Sequence, residues 1–297
     1  KFDSQNVPFW SHHEGCYVCY YRVKSEPDAG FRGGGGVRTV ARATSDDFVH
    51  WSDPVMMDFG DTPPEQLYTN QTTPYYRAPH IYVALPGRFM PGRQVLSDDE
   101  GEAYGIVRKR KGGDYWHDCS DGCLMTSRGG SRYDRTFLEA FVRPGLDRRN
   151  WSSRCNYPAL GVLPTGKAEM SIYVERHNAQ PGKYLQRLTL RPDGFASVRA
   201  PYEGGEMVTR PFTFNGSRLE LNCATGAAGG LRLALLDEAG KPLDGCGLED
   251  GPEIVGDELA HIVQWADGPD IGRYADTPVS LRAILHDADL YSIRFCR

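Results

Sequence analysis

The sequence predicts an all-β protein, and three observations carry that prediction. Glycine and proline are abundant, 34 and 20 of 297 residues, which favours turns over long helices. No long segment repeats apolar residues at the spacing of an amphipathic helix. Short strand-like runs recur instead, with glycine, proline and aspartate between them.

In chain order the runs are Val7–Trp10, Tyr17–Arg22, Thr39–Ala43, Ile81–Leu85, Ala168–Glu175, Leu185–Leu190, Leu219–Cys223, Leu231–Leu236 and Ser280–Leu285. The first two thirds repeat a unit. A polar opening segment lies at residues 2–10, a second near 73 (Thr-Pro-Tyr-Tyr-Arg-Ala-Pro-His80) and a third near 156 (Asn-Tyr-Pro-Ala-Leu-Gly161). Strands follow each, then a turn: Thr44–Trp51, Thr126–Tyr133 and Leu190–Phe195. Such units, arranged around an axis, make a β-propeller, with an irregular β-sandwich as the alternative. Residues 1–204 hold about three units, and a closed propeller needs at least ~4 blades. This part therefore reads as a partial propeller, the later blades of a larger one. After Gly204–Phe212, which reads as a linker entering a strand, residues 205–297 alternate short strands with turns at Asn215-Gly216, Ala239-Gly240 and Gly245. A stretch of that length suits one β-sandwich. Asp287 and Asp289 read as a turn between its last two strands rather than as calcium ligands.

Composition narrows the function. Lys+Arg is 34 and Asp+Glu 39, a net charge of −5, which argues against a nucleic-acid binder and against a polybasic membrane contact. The basic run Arg108–Lys111 reads as a solvated loop. No apolar stretch is long enough to span a membrane. Eight cysteines are too few for a disulfide scaffold of this length. Cys16 with Cys19 and Cys119 with Cys123 have zinc-like spacing, but Gly15–Arg22 reads as a strand, which would turn Cys16 and Cys19 to opposite faces. No metal and no cofactor is expected. The chain starts at Lys1 rather than methionine, so a preceding segment is expected; a signal in it would make the protein periplasmic or secreted, and its lack cytoplasmic.

The opening segments carry polar residues where a strand would bury apolar ones. In a propeller these inner strands face a shared channel, where residues distant in sequence meet. Asp3, Glu65 and Glu175 are the candidate catalytic carboxylates. Glycoside hydrolysis needs one protonated carboxyl to donate to the leaving oxygen and one ionised carboxylate to activate water or attack the sugar. Asn6, Arg77, His80 and Asn156 would bind hydroxyls, and Trp10, Tyr68, Tyr157, Tyr75 and Tyr76 would offer flat faces to sugar rings. Each taken singly has a structural explanation, Asp3 as a turn cap and Glu175 as an ion-pair partner.

Several segments resemble a bacterial group of glycosyl hydrolase family 32-like proteins, common in planctomycete-type polysaccharide degraders. They are Phe2-Asp-Ser-Gln-Asn6, Arg38–Trp51, Tyr68-Thr-Asn70, Arg77-Ala-Pro-His80, Leu190–Phe195 and His286–Tyr291. The resemblance spans nearly the whole chain. It implies a five-bladed β-propeller followed by a β-sandwich, with about two N-terminal blades absent, and a carbohydrate substrate. In the wider fold group an early Asp is nucleophile or base, a second Asp stabilises the transition state and a Glu is the acid. The invertase motifs Asn-Asp-Pro-Asn-Gly, Arg-Asp-Pro and Glu-Cys do not occur; Phe2-Asp3-Ser4 echoes the first, and Arg77-Ala78-Pro79 lacks the Asp of the second. Three readings follow: a glycoside hydrolase on a plant or algal polysaccharide, a glycoside phosphorylase in which Arg77 and His80 bind phosphate, and a non-catalytic sugar-binding propeller.

Overall fold

The computed structural model describes residues 5–25, 36–108 and 113–297, and the chain forms two compact units. One comprises residues 1–165 and 170–189, the other residues 166–169 and 190–297. Both are built of strands, so the chain is all-β as expected. Helix is confined to α1 (Asp98–Ala103) and a few single 3-10 turns among the described residues. Ser97 and Glu100 cap α1 reciprocally. No described helix is long and apolar enough to cross a membrane.

In the first unit, β1 (Asn6–Ser11), β2 (Cys16–Lys24), β3 (Arg38–Ser45) and β4 (Val55–Met56) form an antiparallel meander. This sheet is buried on both faces, so β2 reads as a nearly continuous apolar run. Val18, Tyr20 and Val40 pack with Leu67, Tyr82 and Met125 on one side, and Cys19, Tyr21, Ala41 and Ala43 pack on the other. Cys16 joins the first cluster and Cys19 the second, so strand alternation separates the two thiols. Pro8, which lacks an N–H, is tolerated because β1 is an edge strand.

The same unit pairs β5 (Thr73–Tyr75) with β6 (Ala78–Ala84), and β7 (Gly87–Met90) with β8 (Cys119–Gly122). The strand β9 (Met125–Ser127) extends the β5–β6 pair. A further sheet runs β10 (Leu163–Pro164), β11 (Met170–Arg176), β12 (Tyr184–Leu190), with β10 antiparallel to β11.

The three opening segments share a backbone feature. Each begins with an amide residue in the left-handed region: Gln5 (φ 63°), Gln71 (φ 52°) and Asn156 (φ 70°). That conformation costs about 1–2 kcal/mol in a residue with a Cβ, so surrounding contacts must hold it. Those contacts join the segments to one another. The Gln5 side-chain oxygen accepts from the Asn70 amide at 2.9 Å, and the Gln71 side chain donates to the Pro158 carbonyl at 2.6 Å. Three sequence-distant openings thus meet side by side.

The second unit differs in detail from its expected short strands. Its sheet runs β13 (Val198–Ala200), β17 (Ser280–Cys296), β15 (Arg218–Leu236), β16 (Asp257–Ile262), with β14 (Gly205–Val208) also on β17. The runs Leu219–Cys223 and Leu231–Leu236 are two halves of β15. Asp287 and Asp289 lie inside β17 rather than in a turn. The pairing shifts between Thr225 and Gly230, opposite Asp287, whose φ is 39°. This shift changes the inward parity of β17 to Ala288 and Leu290, and a second shift between Asn222 and Cys223 returns it to Ile293 and Phe295. Leu219 with Phe295, Leu221 with Ile293, Leu231 with Leu285 and Leu235 with Leu281 therefore all face one core. Gly229 is required at the bend, because a Cβ there would stand 2.4 Å from the Asp287 carbonyl oxygen. Asp289 accepts from Ser197 at 2.5 Å. Among the described residues no group of three or more His, Cys, Asp or Glu is placed to hold a metal.

The stitch between openings is testable. Gln71→Leu keeps the side-chain volume but leaves the Pro158 carbonyl without its donor. It is expected to destabilise the protein by about 1–3 kcal/mol in urea unfolding. An unchanged midpoint would show that the Gln71 bond is not needed.

Candidate functional site

The densest grouping of the expected site residues is around Tyr68. This residue follows the bridge between Leu67 and Arg88, and its amide donates to the Gly87 carbonyl at 2.7 Å. Tyr157 reaches it from the third opening. There the Asn156 amide donates to the Glu175 carbonyl and the Glu175 amide to the Tyr157 carbonyl, at 2.8 and 3.0 Å. Two residues thus oppose one. This is a bulge with Asn156 in its left-handed position, a place asparagine accepts better than most residues. The bulge directs Tyr157 onto Gly87, where a Cβ would stand 2.4 Å from the ring. The Tyr68 and Tyr157 centroids end 5.6 Å apart.

Three arginines surround Tyr68. The guanidinium carbons of Arg22, Arg154 and Arg38 lie 4.3, 5.1 and 5.3 Å from its ring centroid. Arg22 also donates to the Tyr68 carbonyl, and Arg38 to the Gln66 side chain, at 3.1 and 3.0 Å. Arg154 additionally lies 5.2 Å from the centre of Tyr115. These contacts are cation–π in character, with each charge close to an aromatic ring.

Two of the three expected carboxylates, Glu65 and Glu175, lie on segments next to this cluster. Glu65, three residues before Tyr68, accepts four hydrogen bonds from Arg88 and Arg135, at 2.6 to 3.1 Å. Arg88 also grips Asp121 with two bonds, at 2.9 and 2.7 Å. Glu65 is thus a strut in an ion network whose other members are largely buried. Glu175 is half-buried and pairs with Lys183 at 2.9 Å. Asn156 is fully buried; its side chain donates to the Ser120 and Asn150 carbonyls and accepts from Arg176. It is thereby occupied in holding the bulge. Asp3 lies outside the described residues.

The remaining candidates stand apart from Tyr68. Trp10 is exposed on β1 and packs edge-on against Tyr17, centroids 4.9 Å apart. Asn6 opens β1 opposite Tyr21. Arg77 is exposed between β5 and β6. Tyr75 and Tyr76 pack edge-on against each other. His80 is exposed, 6.4 Å from His13 between ring centres. Burial, then Arg128 and His13, hold the His80 imidazole below its ordinary value.

Sequence reasoning missed a second polar group, centred on Glu14 in the β1–β2 turn. Tyr82 donates to Glu14 at 2.7 Å and Arg42 donates at 2.8 Å. Because the single Tyr82 proton is spent on Glu14, Ser11 must be the donor in its 2.5 Å bond to Tyr82. Burial raises the Glu14 carboxyl, but Tyr82, the Gly130 amide and Arg42 outweigh it and hold the group below its ordinary 4.5. Gly129, against Glu14, opens onto a cleft of about 570 Å³ lined by Phe59, Arg128, Arg132, Tyr133 and Asp134. The signal for these groups was Arg22 and Arg42 inside buried strands, since a buried charge needs a partner. Nucleophilic thiol chemistry is disfavoured: burial pushes Cys119, Cys123 and Cys155 up.

No protein-family model matches this chain, and no curated protein matches it in sequence. Distant likenesses occur among solved structures. One is an N-acetylgalactosamine deacetylase from F. plautii in complex with blood group B trisaccharide: 12% identity, 62% of this chain and 48% of that chain, TM-score 0.39. The chain thus spans about half of the deacetylase's length. A second is a glycoside hydrolase family 43 arabinoxylan arabinofuranohydrolase from Bacillus subtilis, at 10% identity, 98% and 66% coverage and TM-score 0.35. A third is the Bombyx mori GH32 β-fructofuranosidase, at 8% identity, 98% and 91% coverage and TM-score 0.36. At these identities and scores none of them establishes a family for the chain.

The Glu14 network gives a pH prediction. The folded value lies below the unfolded one, so the unfolded chain takes up the proton first on acidification. Stability from Glu14 is fully present above the unfolded value and is lost as pH falls through the folded one. Glu14→Gln is expected to be less stable than wild type at pH 7, with the gap closing below pH about 4.5. A gap that stays constant from pH 7 to pH 3 would show that the Glu14 charge contributes nothing.

Proposed function

We propose that this chain is a carbohydrate-active protein, a glycoside hydrolase whose sugar lies against Tyr68 and Tyr157. The observation that supports this reading best is the convergence of those two rings, 5.6 Å apart, beneath guanidinium donors contributed by three separate segments. Aromatic faces suit the C–H surface of a sugar ring, and arginines suit its hydroxyls. The repeated openings, stitched through Gln5 and Gln71, are consistent with propeller blades in residues 1–204, followed by a separate β-rich domain in 205–297.

In this reading Glu175 is the carboxyl that exchanges a proton with the leaving oxygen, because its salt bridge to Lys183 is half exposed and can open. Its backbone bonds to Asn156 and Tyr157, opposite the bulge that carries Tyr157, support this role. Glu65 positions rather than reacts, since its oxygens are engaged by Arg88 and Arg135. Asp3 is proposed as the partner carboxylate on the sequence alone. Retention or inversion would follow from the separation of the two groups.

The test is turnover of plant and algal polysaccharides by the chain and three variants. Glu175→Gln is expected to lower kcat by about 10²–10⁴-fold with the fold intact. Tyr68→Ala is expected to raise KM, and Glu65→Gln to lower stability first. Turnover that appears only with inorganic phosphate would indicate a phosphorylase. Glycan affinity without turnover in any condition would indicate a binding module. Unchanged kinetics in Glu175→Gln and Tyr68→Ala together would sink this site.

A further inference from the structure

The arginines around Tyr68 carry more charge than a neutral sugar requires. Each guanidinium carbon lies within 5.3 Å of one ring centroid, so the three are within about 10 Å of each other, roughly a Debye length at ordinary ionic strength. The like charges of Arg38 and Arg154 at that separation repel, and an anion between them would relieve the repulsion. Among the described residues the nearby carboxylates are committed elsewhere: Glu65 to Arg88 and Arg135, Asp121 to Arg88, Glu175 to Lys183. Among the described residues neither Arg38 nor Arg154 has a carboxylate partner. Arg38 spends its bonds on the neutral Gln66, and Arg154 lies against Tyr68 and Tyr115. Tyr68, Arg38 and Arg154 are half-buried, so a ligand can reach them.

We infer that Arg38 and Arg154, with Arg22 behind them, bind an oxyanion carried by the saccharide: a uronic carboxylate or a sulfate ester. This rests on the carbohydrate reading above and narrows its substrate class to acidic polysaccharides. The planar guanidinium fork matches both groups, with paired N–H bonds to two oxygens. The sugar ring to which the anion is attached lies against Tyr68 or Tyr157. A neutral chain leaves two half-desolvated guanidiniums without a counter-charge, so the site selects against it.

The experiment compares each probe with its own charge-stripped form. Galacturonate oligomers are measured against the carboxyl-reduced oligomers, and sulfated galactan oligomers against the desulfated ones, by calorimetry with wild-type chain. At least one charged form is expected to bind about 10–100-fold tighter than its neutral counterpart, with an advantage that shrinks as salt rises. Arg154→Ala and Arg38→Ala are expected to erase that advantage, and Arg154→Lys to restore part of it. Thermal unfolding of each variant separates lost binding from lost fold, and the wild-type comparison needs no variant at all. Equal binding of charged and stripped forms overturns this inference and leaves the hydrolase reading standing. Binding of inorganic phosphate, together with phosphate-dependent turnover of the neutral chain, overturns it in favour of a phosphate co-substrate. Failure of every saccharide to bind overturns both readings.

Discussion

The arrangement around Tyr68 depends on a set of amide side chains that hold their own backbone in an unfavourable conformation. Gln5, Gln71 and Asn156 are each left-handed; the Gln5 and Gln71 side chains bond to the next opening, and the Asn156 side chain bonds to the Ser120 and Asn150 carbonyls. Strain of about 1–2 kcal/mol per residue is offset only where such bonds form, so conformation and contact stand or fall together. The Asn156 bulge brings Tyr157 to Tyr68, and the bonds from Asn70 and Gln71 fix the segment that carries Tyr68. The aromatic pair is therefore a product of the way the repeats join.

A second constraint is the bare backbone at Gly87. Tyr157 can lie flat there only because no Cβ intervenes. Around this contact the charges separate into two kinds. Arg88, Arg135, Glu65 and Asp121 neutralise one another in a largely buried lattice that fixes β7 against β8. Arg22, Arg38 and Arg154 instead gather on aromatic rings, which hold cations less tightly than carboxylates do. The first group supports the fold; in the second, Arg22 is buried, and Arg38 and Arg154 are half-buried beside the Tyr68 ring.

Much of this was legible in the sequence. Turn-forming composition and short runs gave the β class, and the polar openings marked segments that bond to one another through Gln5 and Gln71. Tyr68, Tyr157 and Glu175 were named before their proximity was visible. The left-handed residues were not legible, because glutamine seldom adopts that conformation and only the neighbouring repeat makes it tolerable. The runs Leu219–Cys223 and Leu231–Leu236 read as two strands, whereas they are halves of one, a difference set by pairing to β17 far along the chain. The arginine cluster was missed because the ring that Arg22 and Arg38 share comes from a third segment, which the strand pattern does not reveal. Glu14 was overlooked for a similar reason, since Tyr82 and Arg42 reach it from other strands.

The central claim is that a saccharide occupies the Tyr68–Tyr157 face. The most direct test is a crystal structure of the chain soaked with acidic oligosaccharide. The account predicts a sugar ring in van der Waals contact with Tyr68 or Tyr157, its anionic group within hydrogen-bond distance of Arg38 or Arg154. Well-ordered sugar in the cleft beside Arg128 and Asp134, with the Tyr68 face empty, would contradict it.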